Sequence, residues 1–287
     1  MADGSGLDLA RHWLEVGRPE RALEQLTRLP AEEGLSREAF VLRAASLHDL
    51  DRDEDAAAAA ETGLGQYGPD PQLLAVLGTA RWSANRYEDA ERAMLDGLAL
   101  APTSVYLLCT YARVCVEVGQ VEKAARLVDR AASYEPEDEL VAQARVLIAY
   151  AAGNDDEALQ RSRDALRLGP DEAANHALFA MASGVRGDVA AAARSYRRAA
   201  AAEPGNLELV EAAREARAAA HPLLWPLRLL QRFGVFPVWL GAVAIIVGLR
   251  ALDLPMLALG FGLVWVLYCI YSWVAPPLVG RWLRRKR

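Results

Sequence analysis

Ala22, Ala56, Ala90, Ala124, Ala158 and Ala192 stand thirty-four residues apart, five spacings in a row without an insertion. The prolines keep the same beat at Pro102, Pro136, Pro170 and Pro204, with Gly34 and Gly68 where earlier members of that series fall. A fixed period of this length marks stacked supersecondary units, each too small to bury its apolar face without a neighbour. Setting the alanine at the twentieth place of each unit divides residues 1–206 into six repeats, 3–36, 37–70, 71–104, 105–138, 139–172 and 173–206.

Each unit reads as two helices joined by a turn. In the third, Leu74, Leu77 and Gly78 share one face of a first helix, and Ala90, Met94, Leu95 and Leu98 face inward from a second that stops at Pro102. A small residue recurs at the eighth place as Ala10, Ala44, Gly78, Ala112 and Ala180, with Val146 the exception. Small side chains at the eighth and twentieth places let the two helices of a hairpin approach closely. At the fifteenth place stand Gly17, Asp51, Asn85, Gly119, Gly153 and Gly187, as a left-handed helix end requires. Acids follow at the start of the second helix, where they complement its positive end. Asp49, Asp51 and Asp53 alternate as in a calcium loop, but Glu54 and Ala60 occupy the places that need glycine and a bidentate glutamate, so no metal is expected there.

The pattern Leu74-x-x-Leu77-Gly78, Tyr87-Glu-Asp-Ala90, Met94 and Pro102 resembles the tetratricopeptide repeat, as does Gly187-Asp188, Ala192, Tyr196, Ala199 and Pro204. The resemblance covers residues 3–206, about seven tenths of the chain. It implies an all-α fold, a right-handed solenoid whose first helices line a concave groove that holds protein or peptide partners. Carried over by place, the groove residues are Thr79, Trp82, Tyr106, Arg113, Gln143, Tyr150 and Met181. The lysine and asparagine clamp with which some family members hold a chaperone's terminal carboxylate is missing. Half-apolar, with aromatic anchors and one cation, such a surface suits an extended or helical segment. Residues 207–220, with Leu207, Val210 and Ala213 at helical spacing, are expected to cap the array.

After His221-Pro222 the composition changes. Eight basic residues face only Asp253 from there to the end, a local net charge of +7, while residues 1–220 hold 24 basic and 37 acidic side chains, or −13. An acidic body of that size repels a phosphate backbone, so no nucleic-acid partner is expected. Residues 221–232 read as an interfacial lead-in with Trp225, Arg228 and Arg232 at headgroup depth. Residues 233–249 and 254–274 are uncharged runs of 17 and 21 residues, expected to cross the bilayer as a hairpin with Asp253 capping the second helix and Pro276-Pro277 ending it. Antiparallel pairing would set Gly241 near Gly262 and Gly248 near Pro255. Residues 275–287 form a basic tail in which Arg284, Arg285, Lys286 and Arg287 face anionic lipid. Positive charge flanks the outer ends of the hairpin and not its loop, and the first residues lack a signal-peptide pattern. Both termini are therefore expected in the cytoplasm, at the plasma (inner) membrane.

No enzyme is expected. His12, His48, His176 and His221 fall in different segments without metal-ligand spacing, and no glycine-rich phosphate loop is present, so catalytic residues, cofactors and metals are all absent from the reading. Cys109, Cys115 and Cys269 are odd in number and read as packing thiols. The expected function is a membrane-anchored adaptor, or else a subunit whose hairpin drives assembly into an oligomer or membrane complex.

Overall fold

The computed structural model describes residues 6–224, 226, 227 and 235–285. The described residues are helical throughout and contain no strand. They fall into two units, Met1–Ala213 and Arg214–Arg287.

In the first unit, α1 (Gly6–Glu15) and α2 (Pro19–Thr27) form the first hairpin, followed by a single turn, α3 (Ala31–Gly34). Five further hairpins follow: α4 (Arg37–His48) with α5 (Asp53–Tyr67), α6 (Pro71–Ser83) with α7 (Tyr87–Leu100), α8 (Val105–Glu117) with α9 (Val121–Tyr134), α10 (Glu139–Ala151) with α11 (Asp155–Leu168), and α12 (Ala173–Val185) with α13 (Val189–Ala202). The alanine ladder lies at the hairpin contact: its first five members are wholly buried and Ala192 nearly so. At the eighth place Ala10, Ala44, Ala112, Val146 and Ala180 are likewise wholly buried.

Local chemistry repeats with the packing. All six residues at the fifteenth place take positive φ, between 56° at Asp51 and 81° at Gly187. The residue before each first helix closes its amino end: Ser36, Asp70, Ser104 and Asp138 accept from the backbone N–H groups of the first turn. Glu172, next in that series, makes no such bond. Nearby, the buried Asn175 instead donates to the carbonyls of Ala165 and Gly169 at 3.1 and 2.9 Å, which serves the carboxyl end of α11.

Each first helix packs on the first helices before and after it, whereas each second helix packs on its hairpin partner and on the next first helix. The first helices are thus the continuous inner layer. The largest core cluster spans the third to fifth repeats, with Leu107, Leu108, Val128 and Val141 nearly or wholly enclosed.

One polar atom breaks the accounting. His176 is 7% exposed and its Nδ1 has no hydrogen-bond partner. Burial holds the imidazole below its ordinary value, a backbone bond at Pro170 opposes this, Arg198 adds to the lowering and Asp171 works against it. Because the folded state prefers the neutral ring, the sixth repeat has its full stability above the ordinary value of 6.5 and loses it as pH falls below that point. Denaturant midpoints measured from pH 7.5 downward should therefore drop for the wild type, no more steeply than about 1.4 kcal/mol per pH unit for a single proton. In His176→Phe this component should vanish; equal slopes in both proteins would refute it.

The second unit begins within α14 (Leu207–Ala219), which crosses the boundary between the units, has no buried residue and leaves Leu207 75% exposed. A short 3-10 turn over Pro222–Leu224 follows, then α15 (Val235–Ala251) and α16 (Pro255–Arg285). Residues Pro255–Ala275 of α16 are long and apolar enough to cross a membrane, and α15 is a shorter apolar helix. Tyr271 of α16 donates its hydroxyl to the Leu223 carbonyl, which ties the short turn to the hairpin.

Three expectations for this segment are corrected. Asp253 does not cap α16: it takes φ 55°, and Leu254 N–H bonds the Leu249 carbonyl at 3.0 Å, the same left-handed helix end used in the repeats. The helix does not end at Pro276-Pro277 but runs through both to Arg285. Proline's fixed φ is itself helical, so the pair removes backbone donors without forcing the chain out of the helix. Gly241, Gly248 and Gly262 do not meet a partner helix, since a Cβ added at any of them finds nothing within 4 Å. Ala242 and Ala258 are the enclosed small residues instead, and on α15 a shift of one residue turns the contact face by about 100°, carrying Gly241 and Gly248 outward.

Candidate functional site: the inner face of the repeats

The expected groove residues do not all present free side chains. Thr79 is half-buried and its hydroxyl donates to the Val76 carbonyl at 2.9 Å, within its own helix. Trp82 is half-buried, donates from Nε1 to Glu117 Oε2 at 2.5 Å, and sets its ring against Tyr87 with centroids 4.6 Å apart. It therefore ties the third repeat to the fourth. Gln143 likewise ties the fifth to the sixth, donating to Asn175 Oδ1 at 3.0 Å. Met181 is half-buried, while Tyr150 is 42% exposed and within electrostatic reach of Tyr196 on α13.

Tyr106 and Arg113, seven residues apart on α8, are both exposed. Tyr106 keeps 46% of its surface open, yet burial raises its phenol, while Arg113 and a hydrogen bond with Thr110 lower it and Asp49 raises it. Asp49, at the end of α4, is itself raised by burial; His48 lowers it and Glu203 raises it further. Tyr106, Arg113, Asp49 and Glu203, drawn from the second, fourth and sixth repeats, thus form one electrostatic neighbourhood inside the array.

Outside that neighbourhood, charge does structural duty that periodicity did not disclose. Arg81, at a place where the resembling family often has an aromatic, is 8% exposed and pairs with Glu61 and, at 3.4 Å, with Glu54. Together with Leu74, Leu77, Arg86, Asp89 and Arg92 it lines a shallow cleft of about 210 Å³. One repeat on, Glu91 joins Lys123 at 2.6 Å and Tyr111, and Lys123 lies 4.6 Å from the Tyr111 ring. Hydrogen bonds from Lys123 and Tyr111 hold Glu91 below its ordinary value, and burial with the Glu91 bond pushes Tyr111 up to about 12. The signal for the first network was a charged residue, Arg81, inside an apolar helical stripe.

The chemistry of the remaining candidates is quiet. Cys109 and Cys115 are buried, and burial pushes the Cys109 thiol up to about 12, far from a reactive thiolate. Asp53, from the calcium-like alternation, bonds His48 Nδ1 at 2.7 Å. Among the described residues no group of three or more His, Cys, Asp or Glu is placed to hold a metal. Of the interface residues named from sequence, Trp225, Arg228, Arg232, Lys286 and Arg287 lie outside the described residues, as do the side chains of Arg284 and Arg285.

An inner layer of first helices, an outer layer of second helices and a left-handed turn every thirty-four residues define an α-solenoid of helix hairpins. Residues 81–148 match the family model for the tetratricopeptide repeat, and the array has a tetratricopeptide-repeat-like fold. Its fold is similar to that of a thermophilic tetratricopeptide-repeat protein of Thermus thermophilus, at TM-score 0.57 and 19% identity, over 63% of this chain and 98% of that one. It is also similar to a chain of the Cut9–Hcn1 hetero-tetramer of the APC/C, at TM-score 0.54 and 15% identity, over 74% of this chain and 42% of that one. At these identities the likeness is one of fold. No curated protein matches the chain.

Proposed function

We propose that the protein is a membrane-anchored adaptor whose repeats bind a protein or peptide segment on their inner face. Tetratricopeptide-repeat proteins are in general protein-interaction scaffolds without catalytic machinery. The observation that carries the anchoring is α16, whose 21-residue apolar stretch exposes Met256 at 84%, Leu259 at 73% and Leu263 at 62% of their surfaces. Lipid is the solvent for such a surface. The charge asymmetry about the hairpin supports a topology with both termini on the cytoplasmic side, at the plasma (inner) membrane. Anchoring confines the groove to the bilayer, so a weakly bound partner gains effective concentration without any new contact.

Tyr106 and Arg113, an aromatic and a cation on one helix, have open surface and no role in joining repeats, so they carry the contact. Trp82, Gln143 and Thr79 hold the groove's shape, while Tyr150 and Met181 border it. Partners co-purified from detergent with the wild type should be lost from Tyr106→Ala/Arg113→Glu and retained by Arg163→Glu, a charge reversal on α11. Identical partner sets from all three proteins would move the binding surface off the groove.

A second reading, favoured by the outward glycine face of α15, makes the hairpin primary: Gly241, Ala244 and Gly248 pack against another copy or a membrane-complex subunit, and the repeats cap that assembly. Crosslinking of the full chain in native membranes separates the two, since a strictly monomeric protein excludes the self-association form of this reading.

A further inference from the structure

Four turns in this chain share one design: a proline in second position, and a bond from the fourth residue's N–H to the first residue's carbonyl. They run Ala101–Ser104, Glu135–Asp138, Gly169–Glu172 and Glu203–Asn206, with closing bonds of 3.1, 3.4, 3.4 and 3.1 Å. The residue after the proline is Thr103, Glu137 and Asp171 in the first three, and Gly205 in the last. The turn itself therefore accepts side chains at this place, and Gly205 is not among the residues with positive φ. What requires glycine there lies elsewhere in the chain. A methyl group on Gly205 would overlap the carbonyl oxygen of Gly17, in the turn between α1 and α2. From the other side, a Cβ on Gly17 would lie 3.4 Å from Glu203 Cβ and 3.6 Å from Asn206 N.

We infer that the repeat array is latched shut, the first repeat's Gly17 turn seated on the last repeat's Pro204-Gly205 turn. The charges follow the same closure: Glu203 at the seam raises Asp49 of the second repeat. In an open array these repeats would stand apart. Backbone-to-backbone contact over two glycines is a small interface, so it opens at low cost compared with the buried contacts between neighbouring repeats.

Spin labels on Glu20→Cys and Glu208→Cys, three residues beyond each glycine of the seam, report the closure in the full chain in detergent, with Cys269→Ser as background. The wild type should give one short, narrow distance. Gly205→Val should give a longer and broader one at unchanged helix content, with Gly205→Ala intermediate. Gly65→Val, where a Cβ meets nothing within 4 Å, should leave the distance as it is. A long, broad distribution in the wild type, or no change in either Gly205 variant, would overturn the latch.

Discussion

Leu107→Ala is expected to destabilise the repeat unit by about 2–5 kcal/mol, the range for truncating a buried leucine. Leu107 is 1% exposed in the first turn of α8, and its methyl groups lie 3.1 and 3.4 Å from where Gly97 would carry a Cβ. It packs in the cluster that joins the third, fourth and fifth repeats, so the cavity would open where the array's halves meet. Stability in a repeat array is a sum of unit and neighbour terms, and the loss of a central neighbour term lets the halves unfold separately. Urea unfolding of the full chain in detergent should show a lower midpoint and a shallower or split transition. Ala124→Leu tests the same region by overpacking: the side chain is wholly buried at the α8–α9 contact, and the added bulk should cost about 1–3 kcal/mol. An unchanged midpoint in both variants would contradict the core as described.

The second large effect belongs to the hairpin. Val264→Arg places a charge midway along the apolar stretch of α16, where Val264 is 63% exposed. At the centre of a bilayer such a residue costs about 2.5–3.5 kcal/mol of insertion free energy. Under the anchoring proposed above, the variant should shift toward the carbonate-extractable fraction, and Val264→Arg/Leu267→Arg should shift further. Thr62→Arg, on an exposed face of α5 in the repeats, should stay with the wild type. Equal extraction of all four proteins would remove the bilayer from the account.

Much of the repeat fold was legible because its determinants are local and recur. Ala22 to Ala192 fixed a register, and the positive φ at Asp51 and Asn85 could be anticipated because Gly119, Gly153 and Gly187 occupy equivalent places. The residues that escaped sequence reading depend on what lies across a gap that spacing does not measure. Arg81 reads as a surface cation until Glu54 and Glu61 are brought over it from the neighbouring second helix. Trp82 and Gln143 occupy groove places, but Glu117 and Asn175 claim their polar groups. The seam is less legible still, because the meeting of Gly17 with Gly205 depends on a small rotation accumulated over six repeats. In the hairpin, helix length could be read from composition, whereas the contact face could not, since one residue of error on α15 exchanges Ala242 for Gly241.

The seam has a consequence for how this gene can change. Duplicating or deleting one thirty-four-residue unit inside the array would keep the register of the hairpins, because each unit presents the same buried alanine at its hairpin contact. It would also carry Gly205 around the superhelix, away from Gly17. A chain built of interchangeable parts is thereby held to a copy number of six, not by its core but by two residues without side chains.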